Sequence, residues 1–329
     1  MVRQKRPRPG VGVRWGRGTP FVATKLRQLL RLVRESHAEP IQGRSRAFEP
    51  VGENELGVTF IGHSSFLLQI AGKKILVDPV FAKRLVLLRR QRRPGLAWRQ
   101  LPVVDVVLLT HAHMDHLNLP SLRWVIRRTR QLTGRTPEVV VPRGVENLVD
   151  RLGFASVHRM SCWDEVTIGG VRVTMTPAKH WGARMFKDEF RQFGGYVVSG
   201  GGHSVYHSGD TAYFEGFRDI GRRLSPEIAL LPIGAYFPDS YRAVHTSPEE
   251  ALKAFQETGA DVMVPMHFGT FRLGREPMSE PPVRLLAEAE RLDVADRVKV
   301  LEEGEMLRIG SAAAAKNRSV LSVSRQAVG

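Results

Sequence analysis

Thr110-His111-Ala112-His113-Met114-Asp115-His116-Leu117 places four metal-capable side chains within six positions, directly after the apolar run Val103 to Leu109. Such a run reads as a buried strand, and a cluster of imidazoles and a carboxylate at its end is costly to hide unless a cation occupies it. With Val103 to Thr110 as a central strand, the alternate positions of His111 and His113 let both rings converge on one point. Asp115 and His116, at the start of the next element, then face a second point nearby. Imidazole and carboxylate suit zinc, iron or manganese, and two ions about 3.5–4 Å apart can share one hydroxide.

Outward from this cluster the chain alternates in a recognisable order. Before it, Val58 to Ile61, Ser65 to Ile70 and Lys74 to Val77 read as three short strands, closed by Asp78-Pro79. After it, Pro120 to Arg130 reads as a helix, Glu138 to Val141 as a strand and Val145 to Leu152 as a helix. The second half repeats the order. Glu165 to Ile168 and Val171 to Thr176 flank the hairpin signal Gly169-Gly170, and Gly195 to Val198 and Ser204 to His207 flank a glycine-rich turn. Strands at Ile228 to Leu231 and Asp261 to Val264 then alternate with helices at Ser247 to Thr258 and Pro282 to Leu292. Ser247-Pro248-Glu249-Glu250 is a helix-start signature, worth roughly 1 kcal/mol, that needs no catalytic role. Strands followed by strand–helix units, twice over, predict two sheets packed together with helices outside.

The 329 residues carry a net charge of +16, unevenly spread. Residues 1–50 hold twelve Lys or Arg against Glu35, Glu39 and Glu49. Residues 1–20, rich in Arg, Gly and Pro, read as disordered. From Val22 onward, Val22, Leu26, Leu29, Leu30 and Val33 share one helical face among basic residues. This helix is expected either to touch a membrane surface or nucleic acid, or to dock on its own domain. A second basic run, Lys83, Arg84, Arg89, Arg90, Arg92, Arg93 and Arg99, has no acidic residue between Asp78 and Asp105, which predicts a loop beside the site that either attracts phosphate or an anionic surface or is solvated charge serving solubility alone. The expected organisation is a basic segment over 1–50, a hydrolase domain over 51–312 and a tail over 313–329. One cysteine, Cys162, excludes an intrachain disulfide and a thiolate-rich metal site, and the absence of a secretory signal or a long apolar run favours a cytoplasmic location, with peripheral contact at a membrane surface as an option.

Two hydrolytic metals need more ligands than the first cluster holds. Three later positions follow extended apolar segments: His180 in Pro177-Ala178-Lys179-His180-Trp181, Asp210 in Gly209-Asp210-Thr211, and His267 in His267-Phe268-Gly269-Thr270. The series His-x-His-x-Asp-His, a distant His, Gly-Asp-Thr and a last His resembles the metallo-β-lactamase fold, an αββα sandwich of two mixed β-sheets with helices on the outer faces. That resemblance implies that His111, His113 and His180 hold one metal, that Asp115, His116 and His267 hold the other, and that Asp210 bridges them. Pro177-Ala178-Lys179-His180-Trp181, Gly209-Asp210-Thr211-Ala212-Tyr213, Pro232-Ile233-Gly234-Ala235-Tyr236, His245 before Ser247-Pro248-Glu249-Glu250-Ala251, and His267-Phe268-Gly269-Thr270-Phe271 resemble the N-acyl-phosphatidylethanolamine-hydrolysing phospholipase D family and its bacterial relatives over residues 56–310. Phe268 departs from the tryptophan usual after the last histidine.

The resemblance implies a metal-dependent phosphodiesterase acting on N-acyl-phosphatidylethanolamine-like phospholipids, in which a hydroxide shared by two divalent ions, zinc with iron or manganese as alternatives, attacks phosphorus. Asp115 is expected to orient the hydroxide and handle its proton. His245 is expected to donate a proton or hydrogen bond to the substrate, or else to serve only the helix start. His63 reads as a turn residue or a support for a ligand, and His37, His158, His203 and His207 as non-functional. The partner is an anionic small molecule or phospholipid, with oligomeric state unreadable. A lactonase, thioesterase or β-lactamase-type carbonyl hydrolase is the competing enzyme. A nuclease is disfavoured because no inserted nucleic-acid-recognition domain separates the motifs, and a binding protein on a degenerate hydrolase scaffold is the nonenzymatic alternative.

Overall fold

Val106, Val107, Leu108 and Leu109 are all fully buried, with Val106 and Leu108 turned to one core and Val107 and Leu109 to another. A strand apolar on both faces must lie inside a covered sheet. The computed structural model describes residues 19–184, 188 and 190–310. In chain order its main elements are α1 (Thr19–Ala38), β1 (Leu56–Gly62), β2 (Ser65–Ile70), β3 (Lys73–Val77), β4 (Arg84–Leu85), β5 (Leu88–Arg89), β6 (Val106–Leu108), α2 (Leu119–Thr133), β7 (Glu138–Pro142) and β8 (Val157–Met160). They continue with β9 (Glu165–Ile168), β10 (Val171–Thr176), β11 (Gly195–Gly200), β12 (His203–His207), α3 (Gly216–Leu224), β13 (Ile228–Pro232), α4 (Pro248–Thr258), β14 (Val262–Met266), α5 (Glu280–Arg291) and β15 (Met306–Ile309).

Two mixed sheets result. One has seven strands in the order β15-β1-β2-β3-β6-β7-β8, the other six in the order β14-β13-β12-β11-β10-β9. Each combines an antiparallel meander with parallel strands, joined where β3 meets β6 and where β12 meets β13. Phe60, Phe66, Leu68 and Val77 of the first sheet share a core with Met175, Tyr196, Val205 and Leu230 of the second. A second core lies under α2 and a third under α3, α4 and α5. This is the αββα sandwich that the strand and helix order predicts.

The helix starts follow local chemistry. Asn118 caps α2 by accepting from Ser121 N, Gly134 ends it at φ 72, and Ser247 with Glu250 closes a reciprocal capping box on α4. Three expectations need correction. Val145 to Leu152 forms only a single 3₁₀ turn at Glu146–Leu148, bracketed by Gly144 and Gly153 at φ 84 and 92. The strand read over Val103 to Thr110 is paired as a named strand only at Val106–Leu108, because Thr110 N leaves the ladder to donate to Asp78 Oδ1 at 2.8 Å. Of the α1 face read at Val22, Leu26, Leu29, Leu30 and Val33, the side chains of the first three lie outside the described ones, Val33 is half-buried and Leu30 faces solvent; among the described side chains of α1 the buried ones are Leu32 and Ser36.

Arg89 N donates to Ser36 Oγ and Gln91 Nε2 to Ser36 O, docking the end of α1 on its own domain. Of residues 1–20, read as disordered, 1–18 lie outside the described residues and Thr19 and Pro20 open α1 instead; the tail at 313–329 also lies outside the described residues. Among the described residues, no helix is long and apolar enough to cross a membrane.

Candidate metal centre

The carboxyl ends of β3, β6, β10, β12, β13 and β14 open on one edge of the sandwich, and the loops leaving them bring the predicted side chains together. His111 Nε2 lies 2.9 Å from His113 Nδ1, and His180 Nε2 lies 3.2 Å from the same atom. Asp210 Oδ2 is 3.2 Å from His116 Nε2, 3.0 Å from His267 Nε2, 4.0 Å from His111 Nε2 and 3.9 Å from His180 Nε2. Asp115 Oδ2 lies 3.7 Å from His267 Nε2 and 3.8 Å from His116 Nε2. All seven residues from the sequence reading therefore meet at one place, with Asp210 reaching toward both histidine groups.

Hydrogen bonds outside the cluster decide which ring nitrogens face inward. Thr110 Oγ1 gives its proton to Asp78 Oδ2 at 2.6 Å, so it accepts from His111 Nδ1 at 2.9 Å and leaves His111 Nε2 as a lone pair. His180 Nδ1 donates to Val244 O at 2.9 Å, with the same consequence for its Nε2, and His116 Nδ1 donates to Asp78 Oδ2 at 2.7 Å, so that loss of the ring's other proton to a bound cation frees His116 Nε2 as a lone pair. His113 Nδ1 holds at most one proton to share between two facing nitrogens. Asp210 Oδ1 and His245 Nδ1 are buried without a hydrogen-bond partner, and His116 Nε2 and His267 Nε2, though 3.2 and 3.0 Å from Asp210 Oδ2, make no well-directed hydrogen bond. Converging lone pairs and orphaned polar atoms are costly without a shared cation, and a divalent ion is what this donor set fits.

The backbone is strained where it holds the site. His63, Asp78 and His267 have φ of 62, 42 and 61, left-handed values that side chains other than glycine rarely adopt. Gly209, before Asp210, has φ 62, and a Cβ there would stand 2.8 Å from Gly194 O. The Gly-Asp-Thr motif is thus a steric requirement for passing Asp210 into the cleft.

Electrostatics follow from burial among opposite charges. Burial pushes His63 and His180 down to about 4 and His245 to about 3. Burial also opposes charge on His267 and His116, but the facing carboxylates win: Asp210 and Asp115 lift His267 to about 9, and Asp210, Asp78 and Asp115 hold His116 well above the usual histidine range. Burial opposes ionisation of Asp115 and Asp210 as well, yet His116 and His267 outweigh it and keep both carboxyls well below their ordinary values.

Several residues outside the seven have definite places. His63, in the turn between β1 and β2, donates from Nε2 to Asp115 Oδ2 at 3.1 Å, in line with its reading as a turn or supporting residue. His245 sits 3.9 Å from Asp210 Oδ2 and does not cap α4, a role taken by Ser247. His158 pairs with Glu138 and His203 with Glu227, while His207 donates from Nε2 to Ser64 O and accepts at Nδ1 from Gly209 N, beside Asp210. Asp78, which grips both His116 and Thr110, went unrecognised in the sequence. Its only signal is an acidic residue at the end of an apolar strand, directly before Pro79. The basic run also reads differently in place: Arg90 is fully buried, bonded to Val80 O and Arg92 O and laid over the Phe271 ring, while Arg92 pairs with Glu303 at 2.6 Å.

Residues 73–268 match the model of the beta-lactamase superfamily domain. The chain belongs to that superfamily. This superfamily member is 33% identical over 75% of its length to a metal-dependent hydrolase of Methanopyrus kandleri, covering 97% of that protein. It is 28% identical over 68% of its length to an N-acyl-phosphatidylethanolamine-hydrolyzing phospholipase D of Caenorhabditis elegans, covering 66% of it. It also spans 65% of the length of an uncharacterised Mycobacterium tuberculosis protein to which it is 34% identical over 72% of its own chain. Among solved structures, a metallo hydrolase of Ignicoccus hospitalis, Igni18, superposes with TM-score 0.60 at 25% identity, covering 77% of this chain and 98% of that one. The chain thus has the metallo-β-lactamase fold and is similar to proteins described as metal-dependent hydrolases.

Proposed function

We propose that the chain is a dinuclear phosphodiesterase that hydrolyses N-acyl-phosphatidylethanolamine-like phospholipids to a phosphomonoester and an alcohol. The observation that carries this reading is the meeting of Asp210 Oδ2 with His116 and His267 at 3.2 and 3.0 Å and with His111 and His180 at 4.0 and 3.9 Å. His111, His113 and His180 would hold one ion, and Asp115, His116 and His267 the other, with Asp210 shared. When bound, the two ions supply an activated water and neutralise charge at phosphorus.

The chain's own groups set the rest. Asp115, kept ionised by the surrounding rings and held by His63, would orient the attacking water by accepting a hydrogen bond from it. His245, neutral at physiological pH, acts as a hydrogen-bond donor to a substrate oxygen rather than as an imidazolium acid. Trp181, exposed and packed against the rings of His180 at 5.3 Å and His113 at 5.4 Å, gives the cleft an apolar rim. Such a rim suits a lipid better than a small polar ester. The likeness to the C. elegans phospholipase D supports the same substrate class.

The test is a substrate panel run on purified protein before and after chelation: N-acyl-phosphatidylethanolamine, phosphatidylethanolamine, simple phosphodiesters and lactones. The reading expects lipid phosphodiester hydrolysis that vanishes with chelator and returns with zinc, iron or manganese. Lactone turnover without phosphodiesterase activity would replace it with the carbonyl-hydrolase reading.

A further inference from the structure

Val86 and Leu87 form the two-residue loop of the β4–β5 hairpin, whose register pairs Leu85 with Leu88 and Arg84 with Arg89. Three features of this hairpin are unfavourable in water. Val86, a β-branched residue, has φ 53 at a loop position that ordinarily takes glycine or asparagine. Val86 and Leu87 are 73% and 54% exposed at the tip. Arg84 and Arg89 stand directly opposite each other, a like-charge pair that weakens a two-stranded ladder.

The base of the hairpin is firmly rooted. Leu85 is buried with Val80 and Phe271, and Phe271 lies edge-on against His63 at 5.4 Å. The base of the hairpin thus packs, through Phe271, beside the turn that carries His63. No acidic residue lies between Asp78 and Asp105, and Lys83 and Arg84 are exposed beside the tip.

We infer that this hairpin is a membrane-insertion element: Val86 and Leu87 enter the acyl boundary of an anionic bilayer while Lys83, Arg84 and Arg89 engage its headgroups. Transfer to such an interface removes the exposed apolar surface from water and screens the facing arginines with lipid phosphates. The charge pattern selects an anionic surface, and the apolar tip between cations selects a lipid interface over nucleic acid, which offers phosphates but no apolar phase. The inference uses the phospholipid reading of the substrate only for its purpose. Binding is measured without turnover, so the two can fail separately.

The experiment is co-sedimentation of the full chain with phosphatidylcholine vesicles, with and without phosphatidylglycerol, comparing wild type, V86G/L87S and R84Q/R89Q. Gly-Ser suits the loop backbone, so V86G/L87S should melt no lower than wild type. It should bind anionic vesicles about tenfold or more weakly, since two apolar side chains no longer insert. R84Q/R89Q should lose roughly fivefold per cation on anionic vesicles. Neither variant should change turnover of a soluble short-chain substrate. A folded V86G/L87S that binds anionic vesicles like wild type would overturn the inference. So would wild-type protein that ignores anionic vesicles, or that binds single-stranded RNA through this hairpin in their place. Absence of any turnover with hairpin-dependent vesicle binding would count against the functional reading alone.

Discussion

Asp78 Oδ2 accepts from His116 Nδ1 at 2.7 Å inside the protein, so the orientation of one predicted metal ligand is fixed by a fully buried carboxylate. The same carboxylate takes the Thr110 hydroxyl and, through it, orients His111. One buried aspartate therefore orients the rings of two predicted ligands.

Replacing it should show in metal binding before anything else. Asp78→Asn is expected to weaken metal affinity by about 10- to 100-fold, the usual cost of losing a carboxylate behind a ligating histidine. Competition against a chelator of known affinity measures it, and unchanged affinity would separate Asp78 from the centre.

His245→Ala should behave differently. If the ring donates to substrate and holds no ion, kcat should fall about 10²- to 10³-fold while metal content stays at the wild-type value. Loss of an ion from this variant would instead make His245 a ligand.

The pH dependence of the metal-free protein has two arms. His267, lifted to about 9 from 6.5, stabilises the fold fully below pH 6.5, and that contribution is lost as pH rises through 9. His63 and His180, at about 4, and His245, at about 3, are neutral when folded, so stability falls as pH drops from 6.5 toward those values and the unfolded chain takes up protons. Denaturant midpoints of chelated protein should peak near pH 6.5. A profile rising steadily to pH 9 would contradict the charge assignment.

The helix start at Ser247 supplies a control. Ser247→Ala should cost about 1 kcal/mol through loss of the capping box and leave metal content unchanged, as read by denaturant unfolding and elemental analysis.

How much of this was readable follows from what each signal encodes. His111, His113, His180, Asp210 and His267 stand out because a polar side chain ending an apolar strand is conspicuous against its surroundings. Asp78 occupies the same kind of position, but a lone aspartate before proline reads as a turn, and its partners lie 32 and 38 residues away. Arg90 counts as one more surface charge until packing encloses it. The inward face of α1 depends on Ser36 receiving Arg89 N, a tertiary contact that helical periodicity does not contain. Val145 to Leu152 has helical spacing, yet Gly144 and Gly153 close it after one turn.

The central claim is a two-ion centre assembled by side chains from His111 to His267, and its most direct test is metal stoichiometry of the purified chain and of Asp210→Asn by elemental analysis. The account predicts two divalent ions per wild-type chain and a marked loss in the variant, with hydrolysis falling in parallel. One ion or none in fully active wild-type protein, or two ions retained by Asp210→Asn at full activity, would contradict it.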